Sequence, residues 1–184
     1  MHLAPATAAA AALTIALAVG LCGTAAGQSA PAAWSPEFVQ QVLADARDQG
    51  DARRGAGVFS AATTGCTSCH KVAGDGGAVG PELTTVARCL SPEEIVESLY
   101  WPSRAMKPEY RSYVFRLANG RMVQGIINQE TADHLVVVEG TGKRHTLTPA
   151  EIDERTEAGS LMPANVFTSL PAPQRRDLVR YLLE

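Results

Sequence analysis

Three side chains that can together bind haem are grouped in one short run of the sequence. Cys66 and Cys69 are separated by two residues and His70 follows directly, which gives the pattern C-x-x-C-H. On one helical turn, two thiols at this spacing can reach the two vinyl groups at one edge of a porphyrin, and the next residue places its imidazole at the iron. The pattern therefore predicts one covalently attached haem c (iron), with His70 as the proximal iron ligand.

Two other kinds of site also use a C-x-x-C pair. A thioredoxin-like pair follows a strand and opens a long helix, whereas this pair lies in a stretch rich in glycine, threonine and serine. A zinc site needs two further ligands at suitable spacing, and beyond the N-terminal segment only Cys89, His134 and His145 remain for that role. We interpret Cys89 as a small buried apolar residue, with an intermolecular disulfide as the alternative.

The segment Gly80-Pro81-Glu82-Leu83 supplies a candidate partner for the proximal histidine. An iron-bound imidazole needs an acceptor for its second N–H, which fixes the ring and raises its basicity. The backbone carbonyl of Pro81 is the natural candidate, and an ordinary turn is the alternative.

A distal iron ligand is expected further along the chain. A thioether opposite an imidazole stabilises ferrous iron and suits an electron carrier. Met162 lies in an irregular loop shortly before the last helix and is followed by Pro163, so we predict it as the distal ligand. Met106 is the main competitor, and a methionine that simply fills a gap in the core is the alternative. The other candidates lie in strand patterns and are weaker: Met122, His134 and His145.

Composition bounds the class of protein. The chain has 184 residues, of which 46% are hydrophobic and 19% charged, so a globular domain with a small extra module is expected. The aromatic fraction is only 5%, so a buried macrocycle would supply apolar area that the side chains lack. The formal net charge of −3 gives no basic surface for nucleic acid.

Residues 1–27 resemble a secretory signal peptide. They contain no Lys, Arg, Asp or Glu, and small residues follow the apolar run before Ala26 and Gly27, where cleavage is expected. Because the positive n-region is missing and the apolar run is long, a retained membrane anchor is the alternative. The mature chain is expected in the periplasm or outside the cell.

The elements that position these residues can be read from caps and turns. Helices are predicted from Ser35 to Gly50 and from Asp51 through Phe59, and a capping box at Ser91 begins another. Alternating apolar residues on both sides of Asn119-Gly120 predict a hairpin. A second hairpin is predicted over 135–138 and 144–147, then a helical turn over 148–151 and a last helix over about 174–183.

Two sets of residues resemble known proteins. The chain is similar to class I cytochromes c at the following positions: Gly55, Phe59, the C-x-x-C-H motif, Gly80-Pro81-x-Leu83, Met162-Pro163 and Tyr181. The phrases at 97–103, 108–110, 119–120 and 160–163 resemble more closely the haem-binding domains abundant in planctomycetes and verrucomicrobia. Many of those domains are fused behind a β-propeller that resembles sugar or alcohol dehydrogenases, and this chain has no propeller.

The resemblance implies a mainly α fold: a cytochrome c fold around one haem, with an inserted small antiparallel β-subdomain. Residues 28–109 would form the N-terminal part of the cytochrome c domain, and 110–157 the inserted β-rich subdomain. Residues 158–184 would supply the distal-ligand loop and the C-terminal helix. In that fold the first and last helices cross, and Gly55, Phe59 and Tyr181 would make the contacts.

The implied function is single-electron transfer by one haem between separate redox proteins. The partners would include a propeller-type dehydrogenase or a terminal oxidase, with no nucleic acid, and a membrane only if the signal is retained. The alternatives are a haem sensor or peroxidase-like enzyme with a labile sixth ligand, and a structural haem. We also expect the β-rich segment to cover one haem edge or to form a docking face.

Overall fold

The computed structural model describes His2 and residues 33–184, so the predicted signal peptide lies, apart from His2, outside the described residues. The described part contains six α-helices: α1 (Pro36–Gln49), α2 (Ala52–Ser60), α3 (Cys66–Cys69), α4 (Val86–Cys89), α5 (Pro92–Tyr100) and α6 (Ala172–Leu182). Short 3-10 turns lie at Pro108–Tyr110 and Pro149–Glu151. Within this part of the chain, no helix is both long enough and apolar enough to cross a membrane.

The first helices begin where the sequence predicts them, because side chains cap their N-termini. Ser35 Oγ accepts a hydrogen bond from the Phe38 amide (3.1 Å), and α1 ends at Gly50. Asp51 caps α2 through the Arg54 amide (2.9 Å). At α5, the capping box predicted at Ser91 is present with both of its hydrogen bonds.

The strands form one large antiparallel sheet and one very short hairpin. The hairpin pairs β1 (Lys71–Val72) with β2 (Asp75–Gly76). The large sheet has the order β6-β5-β4-β3-β7 and consists of β3 (Arg111–Leu117), β4 (Met122–Glu130), β5 (Leu135–Val138), β6 (Arg144–Leu147) and β7 (Ile152–Ser160). Both predicted hairpins are confirmed. The β3–β4 turn depends on Gly120, whose φ of 80° lies in the left-handed region.

The fifth strand, β7, is absent from the sequence prediction. It follows the 3-10 turn Pro149–Glu151 and pairs with β3 in the antiparallel direction. Most of its side chains are exposed, so it carries no apolar alternation. Backbone pairing with β3 holds it in the sheet, and exposed ion pairs lie along that pairing, Arg116 with Asp153 (3.0 Å) and Arg111 with Glu157 (3.1 Å). The predicted β-rich segment ends at residue 157, which lies inside this strand.

The prediction of a mainly α fold is wrong. Of the described residues, 37% are helical and 24% lie in strands, and a five-stranded antiparallel sheet is a major part of the structure. Helices and sheet occupy separate stretches of the chain, which is an α+β arrangement. The physical reason is that the sheet has its own hydrophobic core, made of Phe115, Leu117, Val123, Leu135, Val137 and Leu147.

The helices pack around a second core, and α2 and α6 approach each other closely within it. A Cβ atom at Gly55 would lie 2.0 Å from the backbone oxygen of Asp177, so only glycine allows this approach. The Phe59 and Tyr181 rings pack beside it with centroids 5.8 Å apart. These are the three residues for which the resemblance to class I cytochromes c implied a helix crossing.

A third, smaller cluster joins the sheet to the loop around the C-x-x-C-H motif. Its buried members are Val79 from that loop and Ile126 and Val138 from the sheet. Cys69 and Leu161 pack against it. The sheet therefore lies directly against the segment that carries the candidate site.

Candidate haem-attachment site

The two motif cysteines lie on a single helical turn. Helix α3 spans Cys66–Cys69, and Gly65 precedes it in the left-handed conformation with a φ of 69°. The His70 amide donates to the Cys66 carbonyl (2.9 Å), which closes the turn and places the histidine at its end. Both thiols are free and half-buried. This is the local geometry that the spacing predicts.

The two sulfur-bearing side chains contact different parts of the protein. Cys66 packs against the helical core, and burial raises the pKa of its thiol, which stays protonated at neutral pH. Cys69 packs against the cluster that joins the loop to the sheet. Its Sγ lies 3.8 Å from the carbonyl oxygen of Gly140, in the turn between β5 and β6. The motif therefore bridges the helical region and the sheet.

The imidazole of His70 is held by one of its two nitrogens. Nδ1 lies 2.9 Å from the Pro81 carbonyl oxygen, the acceptor that the sequence predicts. Because a carbonyl can only accept, Nδ1 carries the proton and Nε2 keeps its lone pair. Burial lowers the pKa of His70, so the ring is neutral at physiological pH. A neutral ring with a free Nε2 is the form that binds a metal ion.

Glycines let the neighbouring backbone lie against the motif. A Cβ atom at Gly80 would lie 2.6 Å from Cε1 of His70, so the loop can cover the imidazole only with glycine there. A Cβ at Gly77 would lie 2.0 Å from the Ser68 carbonyl oxygen. The Gly80 amide donates to the Cys69 carbonyl (2.8 Å), which ties the loop to the end of α3. The ring orientation is thus fixed by both a hydrogen bond and close packing.

Met162 lies beyond the end of β7 and is half-buried. Its side chain packs against the helical core, as Cys66 does. The Met162 amide donates to Ser160 Oγ (3.1 Å), and the Ser160 amide donates to Ser103 Oγ (3.1 Å), so the loop is anchored to the chain after α5. The preceding residue, Leu161, packs against the cluster around Cys69.

The competing candidates for a distal ligand differ in their surroundings. Met122 is 60% exposed on β4, and His134 is half-buried with its Nδ1 3.1 Å from Thr131 Oγ1. His145 is occupied by Glu139, with Nε2 2.6 Å from the carboxylate. Met106 is half-buried and stays a competitor.

One prediction about the remaining cysteine is wrong. Cys89 is exposed, whereas the sequence favoured a buried position. It lies at the end of the single-turn helix α4, where its Sγ is 3.7 Å from Thr85 Oγ1. Helix α4 is a single turn, and none of its residues is buried.

Among the described residues, no group of three or more His, Cys, Asp and Glu side chains is placed to hold a metal ion.

Sequence reasoning missed one residue beside the site. Ser112 on β3 is fully buried, and its Oγ has no hydrogen-bond partner among the described residues. Nothing in its local sequence distinguishes it, since serine is common on exposed strands. Only the pairing of β3 with both β4 and β7 buries it.

No protein-family model matches the chain, and a search of the curated proteins finds no match either.

Proposed function

We propose that this chain is an exported monohaem c-type cytochrome that passes single electrons between separate redox proteins. The observation that carries the proposal is the state of His70. Its ring is neutral, held by the Pro81 carbonyl through Nδ1, and directly follows two free cysteines on one helical turn. Such a histidine has one nitrogen available for iron and a fixed orientation in which to offer it.

The donor set of the region fits haem c. It comprises two free thiols at the required spacing, one imidazole nitrogen, and the Met162 thioether on the same core as Cys66. A thioether opposite an imidazole stabilises ferrous iron and raises the reduction potential, which suits a one-electron carrier.

When bound, the haem supplies an iron centre that changes between ferric and ferrous states by one electron. The protein would hold it and control its environment. Cys66 and Cys69 would attach it at one edge, and the Pro81 carbonyl would keep the His70 ring in place and raise its basicity. The apolar residues around the motif, including Val79 and Leu161, would exclude water from it.

The sheet would cover part of the attachment site. The turn after β5 brings the Gly140 carbonyl to Cys69, and Val138 at the end of β5 belongs to the cluster that Cys69 contacts. These contacts support the expectation that the β-rich segment covers one haem edge. The electron donor and acceptor would be separate redox proteins.

The test uses full-length protein made in cells that have an intact haem-attachment pathway. We expect the purified protein to be coloured, with its peptide mass raised by one haem, and its reduced form to be six-coordinate and indifferent to carbon monoxide. A colourless protein of unmodified mass would exclude the proposal. Rapid binding of carbon monoxide by the unaltered protein would favour the sensor or peroxidase-like alternative.

The variant Met162→Ala tests the axial pair, with Met106→Ala and Met122→Ala as controls. Loss of the thioether should open the sixth position, allow carbon monoxide to bind, and lower the reduction potential by on the order of 100 mV. Met122→Ala should change neither property, because that side chain is 60% exposed on the sheet. If Met106→Ala opens the sixth position and Met162→Ala does not, the distal ligand is Met106.

A further inference from the structure

A groove lies along one free edge of the large sheet. Strand β6 ends the strand order, so its outer side pairs with no strand in the described part of the chain. All four residues of β6 line a groove of about 390 Å³. The rest of its lining comes from the β3–β4 turn and from the 3-10 turn before β7. The groove therefore presents an unpaired strand edge between two turns.

The strand register shows which backbone groups of β6 point outward. The Glu139 amide donates to the Lys143 carbonyl (2.9 Å), so these two residues form a hydrogen-bonded pair next to the β5–β6 ladder. Hydrogen-bonded and non-hydrogen-bonded pairs alternate along an antiparallel ladder. Arg144 and Thr146 therefore occupy the non-hydrogen-bonded positions, and their N–H and C=O groups point away from β5. An extended peptide beside β6 would pair with these groups.

Two arginines in the groove have no carboxylate bound to them. Arg121 and Arg144 both line the groove, and Arg144 donates to the neutral amide oxygen of Asn128 (2.9 Å). The one carboxylate among the lining residues, Glu151, interacts with Arg121 without a salt bridge. It already accepts hydrogen bonds from the amide and the hydroxyl of Thr148 (2.7 and 2.8 Å). The groove thus offers two guanidinium groups to an anionic ligand.

The other charged side chains of the sheet are matched differently. Arg111, Arg116 and Arg155 each pair with a carboxylate at 3.0 to 3.1 Å. His145, which also lines the groove, has its Nε2 2.6 Å from Glu139. Among the arginines of the described sheet and its turns, the two in the groove are therefore the ones without a carboxylate partner.

We propose that the groove binds an acidic, extended segment of a partner protein, which adds a strand to β6 and places carboxylates at Arg121 and Arg144. In strand addition, main-chain hydrogen bonds supply affinity and side-chain contacts supply specificity. Unpaired backbone groups beside two arginines favour a peptide over a nucleic acid or a small anion, because a strand uses both features. This inference goes beyond the electron-transfer function and does not depend on haem.

Two segments of this chain do not fit as the occupant. Residues 1–32 contain no Asp or Glu, so they offer no side-chain carboxylate to the arginines. Strand β7 is an acidic edge strand, and a second copy would present it, but Asp153 and Glu157 are already paired with arginines of β3. Irregular register with β3 also interrupts β7 near both of its ends, and such bulges disfavour further pairing at an edge. A different protein is therefore the occupant that the groove fits.

The test titrates the isotope-labelled full-length protein with a short capped peptide of alternating Glu and Val, followed by amide NMR. We expect the peptide to shift the amide resonances of Arg144 and Thr146, and its affinity to fall as salt rises. Arg121→Gln and Arg144→Gln should each weaken binding roughly twofold to fivefold, and the double variant roughly tenfold. Arg116→Gln is the control, since Arg116 is an exposed arginine on β3 that does not line the groove, and it should leave the affinity unchanged.

Two matched peptides separate the two kinds of contact. The same peptide with Gln in place of Glu keeps the strand and loses the charge, so it should bind roughly tenfold more weakly. The Glu peptide with methylated backbone nitrogens keeps the charge and loses the donors, so it should no longer shift the β6 amides.

Each other outcome overturns the inference in a recognisable way. Equal affinity for the Glu and Gln peptides, or unchanged affinity in the double variant, removes the arginines from the site. Binding of free glutamate as tightly as the peptide would show a small-anion site, and β6 shifts that depend on protein concentration alone would show a second copy. If millimolar Glu peptide leaves the Arg144 and Thr146 amides unshifted, Arg144 serves only to keep a sheet edge from pairing. None of these results bears on haem attachment, so the proposed function is tested separately.

Discussion

The sheet and the helical region of this protein differ in how completely each buries its own apolar side chains. In the sheet, the six buried core residues outnumber the half-buried ones beside them, which are Tyr113, Ile127 and Ile152. In the helical region, half-buried apolar side chains outnumber the buried ones, and Cys66 and Met162 are among them. The thiol of Cys66 and the thioether of Met162 therefore lie in the region where burial of apolar side chains is less complete.

This difference indicates which region depends on a ligand. A core that is closed by its own side chains needs nothing further for stability, whereas half-buried apolar surface gains free energy when it is covered. The incomplete burial around Cys66 and Met162 fits our proposal that haem completes the helical region. In that proposal the sheet is a stable support for the loop around the C-x-x-C-H motif, which contacts it through Val79 and Cys69.

The largest effect should follow from removal of both attachment points. In the double variant Cys66→Ser and Cys69→Ser, no covalent haem forms, and the apolar surface around it is left in water. We expect amide protection in α2 and α6 to fall by roughly a hundredfold or more, and protection in β3 and β4 to fall by less than about tenfold. Hydrogen exchange read by mass spectrometry measures both regions in one sample.

The control for that variant is Cys89→Ser. Cys89 is free and exposed, so its substitution should leave the mass of attached haem and the exchange pattern unchanged. Equal loss of protection in the helices and in the sheet would contradict the comparison, because the sheet would then depend on haem as much as the helices do.

A smaller effect is expected at the crossing of α2 and α6. A Cβ atom at Gly55 would lie 2.0 Å from the Asp177 carbonyl oxygen, which is backbone and cannot move aside cheaply. Gly55→Ala should therefore lower the free energy of unfolding by about 3 kcal/mol. At Gly57, on the same helix, an added Cβ meets nothing within 4 Å. Gly57→Ala should raise stability by about 0.5 to 1 kcal/mol, since alanine favours helix.

Denaturant unfolding of the holoprotein measures both glycine variants. The haem absorption reports on the helical region, and hydrogen exchange in β3 and β4 reports on the sheet. If Gly55→Ala and Gly57→Ala change stability by the same amount and sign, close packing does not hold the helix crossing together.

Apart from the crossing of α2 and α6, which the family resemblance implied, the features that the sequence predicted correctly depend on near neighbours in the chain. The caps at Ser35, Asp51 and Ser91 each satisfy amides within three residues, and the Asn119-Gly120 turn needs only a glycine that accepts a positive φ. The contact between His70 and Pro81 also falls in this class. The two residues are close in the chain, and a histidine predicted to bind iron needs an acceptor for its second N–H.

The features that were missed depend on distant pairing. Strand β7 shows no apolar alternation, because backbone hydrogen bonds to β3 hold it in the sheet while most of its side chains stay exposed. That strand is also what gives the sheet its fifth member and helps to bury Ser112. A fold class inferred from the cytochrome resemblance alone therefore underweighted the sheet, and no local pattern indicated that Ser112 is buried.

The smallest of the three effects concerns a carboxylate at the helix crossing, compared with one on the sheet. Asp177 is 4% exposed, and it accepts hydrogen bonds from Arg54 Nε (2.7 Å) and the Asp51 amide (2.8 Å). The Arg54 guanidinium lowers the pKa of Asp177 below its usual value of 3.8. Because the folded pKa lies below the unfolded one, this carboxylate stabilises the protein above about pH 4, and the contribution is lost as pH falls through the folded pKa.

The substitution Asp177→Asn should thus lower the free energy of unfolding by about 2 kcal/mol at pH 7 and by much less at pH 2 to 3. In contrast, Asp153→Asn, in an exposed pair with Arg116, should lower it by less than about 0.5 kcal/mol. Denaturant unfolding at both pH values measures the difference, and a cost for Asp177→Asn that does not change with pH would show that the carboxylate charge contributes nothing at this crossing.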